Sequence, residues 1–219
     1  MHEKCVACMD CIKVCPSGAM FVSGRRMQVD EIMQEILPDK VYFKNSGGGV
    51  TLSGGEVLLQ PEFADRILRR LKEEGIHTIV ETSGFGSQEA LLRLADSTDI
   101  FYYDYKLGEP EKFSYYTGGD LNVVLKNLQA LRNKTDAITI RIPLIPGITD
   151  TKENVKRAYE TAQKLNIKMI HLLPYNTAAG AKYEWCGRSY ELGELEPVKD
   201  LNAQLLNMAP KDLDVRIMY

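Results

Sequence analysis

The chain has 219 residues, of which 44% are hydrophobic and 26% charged, and its formal net charge is −3. This is an ordinary soluble globular composition with enough residues for one substantial core, and its mild acidity gives no electrostatic reason to expect nucleic acid or an anionic membrane as a partner. No apolar run approaches the roughly 20 residues that span a bilayer. The polar, cysteine-rich start does not resemble a signal peptide, so we expect neither a membrane span nor a leader.

Four of the five cysteines lie near the N-terminus in the stretch CVACMDCIKVCP, as Cys5, Cys8, Cys11 and Cys15. We interpret this cluster as iron ligands and not as a disulfide framework, and reduced thiols are typical of the cytoplasm, where we expect the protein. In bacterial ferredoxins the first three cysteines of such a run hold one [4Fe–4S] cluster and the fourth holds a second. Only Cys186 remains for a second cluster, and we interpret it as a buried thiol, with a cluster-facing role as the alternative.

From residue 25 onward, helical and strand-like segments alternate. Apolar runs predict strands at Val50, Thr78, Ile100, Ile138, Met169 and the C-terminal DVRIMY. Helical spacing of apolar residues predicts helices in MQVDEIMQEIL, PEFADRILRRLKEEG, QEALLRLADS, LNVVLKNLQALRNK, KENVKRAYETAQKLN and EPVKDLNAQLLNM. Such alternation is typical of a parallel sheet covered by helices. Because eight units take about 250 residues, we predict an α/β fold with a partial parallel (β/α) barrel of about six units over residues 25–219. Half of a ferredoxin-like insert, a short cysteine segment, would occupy residues 1–24.

Polar residues occupy the positions at which the predicted strands end. These positions read SGGE, ETSG, DYK, RIP and PYN, and parallel α/β folds carry their chemistry at the C-terminal ends of strands. The candidate site residues taken from them are Glu56, Thr82 (or Ser83), Asp104, Lys106, Arg141 and Asn176. This set of charged, hydroxyl and amide groups would suit a zwitterionic ligand that carries hydroxyls.

Strand alternation predicts which side of the sheet each candidate faces. Asp104 and Lys106 are two residues apart, so they would share a strand face as a ligand-binding or structural ion pair, with Lys106 keeping Asp104 ionised. Arg141 lies between isoleucines and would face the barrel interior, where it suits a carboxylate. The same parity places Asn176 in the interior and His171 on the helix-facing side as a packing residue.

Five stretches of the sequence resemble the glycyl-radical enzyme activating enzymes of the radical S-adenosylmethionine (SAM) superfamily. They are GGGVTLSGGEVLLQPEF, EEGIHTIVETSGF, DYKL, RIPLIPGITD and LLPYNTAAGAKYEWCG, and CVACMDCIKVCPSGA resembles the ferredoxin insert of many such enzymes. The resemblance implies an oxidoreductase that binds SAM at the open iron of a [4Fe–4S] cluster, with flavodoxin or ferredoxin as electron donor. Reductive cleavage would give methionine and a 5′-deoxyadenosyl radical, which removes a hydrogen atom from a glycine of a partner glycyl-radical enzyme.

The resemblance also implies roles for residues of this chain. Gly54, Gly55 and Glu56 would hold the amino group of SAM, and Arg141 would lie near its carboxylate. Asn176 stands where several relatives have a histidine that contacts the ribose. The region around SAM and a monovalent cation would contain Glu81, Thr82 and the adjacent Ser83, Asp104 and Lys106.

The motif that defines the family, C-x3-C-x2-C, does not occur in these 219 residues. The resemblance therefore implies that Cys5, Cys8, Cys11 and Cys15 are an incomplete ligand set and that the first barrel strand is missing. We expect the sequence to be roughly the C-terminal four-fifths of an activating enzyme, unable to cleave SAM alone. Two alternatives remain open. One is an electron-transfer module, whose four cysteines hold a single cluster, fused to a barrel that binds a small molecule. The other is a catalytically silent binding protein.

Overall fold

The computed structural model describes residues 5–22, 24–176, 183, 188–190, 192–193, 195–196 and 200–218, so that Cys186 lies outside the described residues. One sheet contains six strands: β1 (Gly49–Leu52), β2 (His77–Thr82), β3 (Ile100–Asp104), β4 (Ile138–Leu144), β5 (Met169–Pro174) and β6 (Asp214–Ile217). All neighbouring strands are parallel, and their order in the sheet follows their order in the chain. The sheet is open, with β1 and β6 at its edges, which confirms the predicted partial barrel.

Nine helices are described in this part of the chain. They are α1 (Asp10–Lys13), α2 (Val29–Ile36), α3 (Lys40–Ser46), α4 (Pro61–Glu73), α5 (Gln88–Leu94), α6 (Pro110–Thr117), α7 (Leu121–Lys134), α8 (Lys152–Lys164) and α9 (Leu201–Asn207). Side chains cap the N-termini of α5, α7 and α8, where Ser87, Asp120 and Thr151 accept hydrogen bonds from backbone N–H groups. None of the helices described is long and apolar enough to cross a membrane.

The main hydrophobic core lies between the sheet and its covering helices. Residues paired in a parallel ladder point to the same side of the sheet, and the paired set Thr82, Tyr103, Ile140 and Ile170 is buried on this side. Leucines on one side of α4, α5 and α7 are fully buried against it. This packing fixes the strand ends relative to one another.

The opposite side of the sheet, here called the inner face, carries polar and aromatic side chains. The register pairs Asp104 with Arg141 and Arg141 with His171, so these three side chains share the inner face. The ring of His171 also contacts the ring of Tyr102, with centroids 5.6 Å apart. The prediction that His171 faces the helices is therefore wrong. That prediction extends strict alternation to Asn176, but β5 ends at Pro174 and alternation ends with the strand.

Candidate functional site

A cleft of about 260 Å³ opens beside the C-terminal ends of the strands, and we call it the polar cleft. Its lining consists of Ser53, Gly54, Gly55, Glu56, Glu81, Thr82, Ser83, Asp104, Lys106, Arg141, Pro143 and Leu173. Nine of the ten candidate cofactor-binding residues are therefore brought together in one place. The parallel topology explains this result, because the C-terminal ends of parallel strands meet at the same edge of the sheet.

The carboxylate of Glu56 ties the loop after β1 to the end of β2. Its Oε1 accepts hydrogen bonds from the backbone N–H of Leu58 at 3.1 Å and from the hydroxyl of Thr82 at 2.6 Å. Its Oε2 accepts from the backbone N–H and the hydroxyl of Ser83 at 2.9 and 2.5 Å. An ionised carboxylate has about four lone-pair sites, so Glu56 is already satisfied within the protein. Any contact that it makes with a ligand ammonium adds to these bonds.

Two glycines form the wall of the polar cleft next to Glu56. Gly54 has a φ of 132°, which favours glycine over residues with a side chain. A Cβ atom at Gly54 would meet no heavy atom within 4 Å, so backbone conformation and not crowding accounts for this glycine. Both Gly54 and Gly55 are exposed, which leaves their backbone groups accessible to a ligand.

Arg141 is held from two directions. Its Nη1 donates to Oε1 of Glu81 in a close ion pair, and the other oxygen of Glu81 accepts from the hydroxyl of Ser53 at 2.7 Å. The guanidinium carbon lies 5.1 Å from the centroid of the Tyr102 ring, within cation–π range. Glu81 and Arg141 are both partly buried, with 30% and 21% of their side chains exposed. Partial burial makes such a pair less screened than a surface pair.

Asp104 and Lys106 form the predicted ion pair, with 3.3 Å between Nζ and Oδ2. They do not share a strand face as predicted, because β3 ends at Asp104 and Lys106 lies in the following loop. Burial raises the pKa of the Asp104 carboxyl above its ordinary value, although Lys106 and Arg141 partly oppose the rise. The lysine therefore holds Asp104 ionised less strongly than the sequence indicates.

A larger cleft of about 450 Å³ adjoins the polar cleft, and we call it the apolar cleft. The two share four lining residues, namely Ser83, Asp104, Lys106 and Pro143. Its other walls are largely apolar and include Phe85, Leu107, Phe113, Ile145 and Ile148. A charged cleft and an apolar cleft thus meet at Asp104 and Lys106.

Two buried asparagines that sequence reasoning missed hold the loops around both clefts. Asn154 accepts from Gly108 N–H at 2.9 Å and donates to the carbonyls of Lys106 at 2.9 Å and Thr149 at 2.8 Å. Asn127 donates to the carbonyls of Gly84 and Gly86 at 2.7 and 3.0 Å. Both lie on helices at positions that the apolar pattern assigns to the buried side. An amide on that side of a helix is the signal that would have found them.

Asn176 is the candidate that does not join the others. It is exposed, lies two residues beyond the end of β5 and is absent from the lining of the polar and apolar clefts. Its contact with the ribose of SAM stays a prediction.

The four N-terminal cysteines have the chemistry of iron ligands but are not gathered in the described structure. Cys5, Cys8 and Cys11 are exposed and Cys15 is partly exposed. Within the described residues, no three Cys, His, Asp or Glu side chains lie close enough to hold a metal ion. A hydrogen bond with Ser17 lowers the pKa of the Cys15 thiol to about 7, which favours the thiolate form that binds metals. The role of the four thiols as iron ligands stays a prediction.

Comparisons with known proteins agree with this combination of a polar cleft and an N-terminal cysteine run. Residues 13–162 match the model of the Radical SAM superfamily, and residues 1–21 match that of the 4Fe-4S binding domain. The chain belongs to the radical SAM superfamily. These matches identify SAM and [4Fe–4S] clusters as its cofactors. Membership of this family also classifies the protein as an oxidoreductase.

Two curated relatives and one solved structure define its radical SAM subgroup. Pyruvate formate-lyase 2-activating enzyme of Escherichia coli (strain K12) is 38% identical over 89% of this chain and 68% of its own length. Trans-4-hydroxy-L-proline dehydratase activating enzyme of Clostridioides difficile is 37% identical over 89% of this chain and 75% of its own length. A crystal structure of a domain of pyruvate-formate lyase-activating enzyme from Bacteroides vulgatus ATCC 8482 superposes with a TM-score of 0.64 at 27% identity, over 78% of this chain and 99% of that one. The chain is a member of the glycyl-radical enzyme activating enzymes.

Proposed function

We propose that the polar cleft binds SAM and that this chain forms the SAM-binding and partner-binding part of an enzyme that activates a glycyl-radical enzyme. The observation that carries the proposal is the convergence of three carboxylates and two basic side chains, Glu56, Glu81, Asp104, Lys106 and Arg141, in one cleft. The cleft therefore has a formal excess of one negative charge. SAM carries an ammonium, a sulfonium and a carboxylate, a formal excess of one positive charge, so the cleft and the ligand are complementary.

The individual groups of the cleft match the methionine part of SAM. Arg141 presents a planar guanidinium with five N–H donors, and its bond to Glu81 is made through Nη1. It is the natural partner of the ligand carboxylate. Asp104 and Glu81 supply negative charge for the ammonium and sulfonium, while the accessible backbone of Gly54 and Gly55 accepts from the amino group. Glu56 holds the glycine wall in place through its bonds to Thr82 and Ser83.

When it is bound next to a reduced cluster, SAM supplies one-electron chemistry that abstracts a hydrogen atom. The contribution of this chain is to bind and orient the cofactor and to keep water from the reacting groups. Apolar side chains that line the adjoining cleft, such as Phe113 and Ile148, help to exclude water. Asp104 and Lys106 stand where the two clefts meet.

The apolar cleft is the proposed binding site for the glycine-bearing segment of the partner enzyme. It adjoins the polar cleft, so a segment bound there lies next to the methionine part of SAM. A glycine has no side chain and therefore allows the closest approach of a backbone to a neighbouring group. Phe85 and Tyr116 at the apolar cleft are partly exposed, and such aromatic side chains are favourable at protein interfaces.

We further propose that this chain alone does not cleave SAM and that it works in the cytoplasm with flavodoxin or ferredoxin as electron donor. Two observations support the first point. The 219 residues contain no C-x3-C-x2-C motif, and the thiols of Cys5, Cys8, Cys11 and Cys15 are not gathered into a metal site in the described structure. Each thiol is nevertheless accessible from solvent, so that it can bind iron together with ligands from another protein segment.

Calorimetric titration of the chain with SAM tests the proposed site. We expect Glu56→Ala and Asp104→Ala each to weaken binding by at least about tenfold, because hydrogen bonds to charged groups contribute about 1.5–3 kcal/mol. Glu89→Ala is the matched control, since the side chain of Glu89 is 84% exposed on α5. Its affinity for SAM should equal that of the wild type. Equal losses in all three variants, or no binding by the wild type, would contradict the proposed site.

An anaerobic activity assay tests the proposed inactivity of the isolated chain. The chain is reconstituted with iron and sulfide, mixed with dithionite and SAM, and assayed for 5′-deoxyadenosine. We expect no product above a control without protein. Product that disappears in a variant lacking Cys5, Cys8, Cys11 and Cys15 would show that these cysteines build a SAM-cleaving cluster, and the proposed inactivity would be wrong.

A further inference from the structure

Four side chains form a continuous row across the inner face of the sheet. One side chain comes from each of four neighbouring strands: Glu81 from β2, Tyr102 from β3, Arg141 from β4 and His171 from β5. Glu81 bonds the guanidinium of Arg141, the Tyr102 ring lies 5.1 Å from the guanidinium carbon, and the His171 ring meets the Tyr102 ring edge-on. The row begins in the polar cleft at Glu81 and Arg141 and ends outside it at His171.

We propose that Tyr102 is a positioning residue for Arg141. Its ring, supported by His171, fixes the plane in which the guanidinium presents its donors to the carboxylate of the ligand. This inference rests on the proposed function in one respect, because it takes the ligand carboxylate to be that of SAM. The arrangement of the four side chains is independent of the ligand.

Arg141 needs such support because it has a long side chain and two acidic neighbours. It is paired in register with Asp104 on β3, and it bonds Glu81 on β2. A guanidinium held only by Glu81 could rotate about that bond and turn its remaining donors toward Asp104. The Tyr102 ring restricts this rotation, since guanidinium groups stack on aromatic faces and lose less entropy per bond when they are held in one plane.

His171 is suited to support the tyrosine. It is only 8% exposed, and its ring makes an edge-on contact with Tyr102 at 5.6 Å and 66°. Burial lowers the pKa of His171, and the positive charges of Arg141 and Arg216 lower it further, while Asp214 acts in the opposite direction. The imidazole is therefore neutral at physiological pH and packs beside Tyr102 without placing another positive charge next to Arg141.

The deciding experiment compares the affinities of SAM and decarboxylated SAM, which lacks only the carboxylate. We expect Tyr102→Leu to weaken SAM binding about three- to tenfold, the range of a partly desolvated cation–π contact. It should leave the affinity for decarboxylated SAM within about twofold of the wild type. Tyr102→Phe keeps the ring and should bind both ligands like the wild type. Tyr42→Leu, at a residue of α3 that is 68% exposed, is the matched control and should change neither affinity.

A purely structural role of Tyr102 predicts equal losses for both ligands in Tyr102→Leu, and that result would overturn the proposal. An unchanged affinity for SAM would overturn it as well. If the wild type binds neither ligand, the proposed SAM site fails, and a ligand-free readout still decides the positioning role. Nitrogen-15 spectra of the arginine side chains, with Arg141 assigned by Arg141→Lys, should show faster exchange of its Nε–H in Tyr102→Leu but not in Tyr102→Phe. Unchanged exchange would contradict the positioning role.

Discussion

At the scale of single residues, the loop after β2 shows how one missing side chain shapes the site. Gly84 has a φ of 68°, and a Cβ atom there would lie 1.7 Å from the hydroxyl oxygen of Tyr103. That hydroxyl donates to the carbonyl of Val124 at 2.7 Å, and the carbonyl of Gly84 accepts from Asn127. Gly84 therefore lets the loop lie directly against the first half of α7. The adjacent Ser83 is placed within reach of Glu56 as a result.

We expect Gly84→Ala to destabilise the fold by more than its backbone conformation alone explains. The left-handed conformation costs an alanine about 1–2 kcal/mol, and overpacking against Tyr103 adds about 1–3 kcal/mol. Gly118 is the matched control, because its φ of 69° is nearly the same while a Cβ atom there meets nothing within 4 Å. The free energy of unfolding in urea should fall further for Gly84→Ala than for Gly118→Ala. Equal losses of unfolding free energy in the two variants would show that the loop shifts and avoids the clash with Tyr103.

Most of the candidate site could be predicted from single residues, and two features could not. Polar residues at the ends of apolar strands identified Glu56, Asp104 and Arg141, since parallel topology then forces them together. The predicted orientation of His171 is wrong because it extends strict alternation past the end of β5 to Asn176. The four hydrogen bonds to Glu56 depend on how the loops after β1 and β2 pack together. The spacing of residues within a single segment of sequence does not predict such a contact between two loops.

At the scale of secondary-structure elements, the period of apolar residues predicted all six strands and the helices that cover them. The helices α3 and α6 arise where the sequence pattern predicts none. Only Phe113 is buried in α6, and α3 buries no residue, so neither segment has an apolar stripe for the pattern to detect. Both instead begin at defined boundaries: α6 has Pro110 at its first position, and α3 directly follows a short 3₁₀ turn at Leu37–Asp39.

The first turn of α8 joins two loops of the site through Asn154, which contacts the loops after β3 and β4. We expect Asn154→Ala to lower the free energy of unfolding by about 2–4 kcal/mol, because three backbone groups lose their partner inside the protein. The affinity for SAM should fall as well, since the loop that carries Lys106 loosens. Hydrogen exchange of the Gly108 amide and urea unfolding measure the two effects.

Asn154→Asp is the matched variant for this junction. An aspartate keeps the acceptor for Gly108 N–H but loses both bonds that Asn154 donates to carbonyl oxygens. The Gly108 amide should therefore stay protected in Asn154→Asp and become exposed to exchange in Asn154→Ala. Protection of this amide in both variants would mean that packing, and not the amide side chain, holds the loop.

At the scale of the whole molecule, one side of the sheet contributes to stability and the other side carries the candidate site. The helix-facing side is buried and mainly apolar, whereas the inner face carries the charged side chains of Glu81, Asp104 and Arg141. Charges on a partly buried surface cost desolvation free energy that their pairing only partly returns. The inner face should therefore lower the stability of the fold in exchange for a site that is ready to receive a charged ligand.

Asp104→Asn measures this cost. Burial raises the pKa of Asp104, so the folded state holds the carboxyl proton more tightly than the unfolded state does. The resulting stabilisation is complete below the ordinary pKa of 3.8 and is lost as the pH rises through the folded-state pKa. An asparagine carries no charge at any pH. We therefore expect Asp104→Asn to unfold at a higher urea concentration than the wild type near neutral pH and to lose less stability between about pH 4 and 7, while its affinity for SAM falls.

Asp96→Asn is the control with the opposite sign. A hydrogen bond with Lys134 lowers the pKa of the Asp96 carboxyl, so its contribution to stability is present above the ordinary pKa and is lost as the pH falls through the folded-state pKa. The same change of side chain should therefore give no gain near neutral pH at Asp96. If Asp104→Asn is instead less stable than the wild type near neutral pH, the ion pair with Lys106 outweighs the burial of Asp104. The inner face would then stabilise the fold as well as bind the ligand.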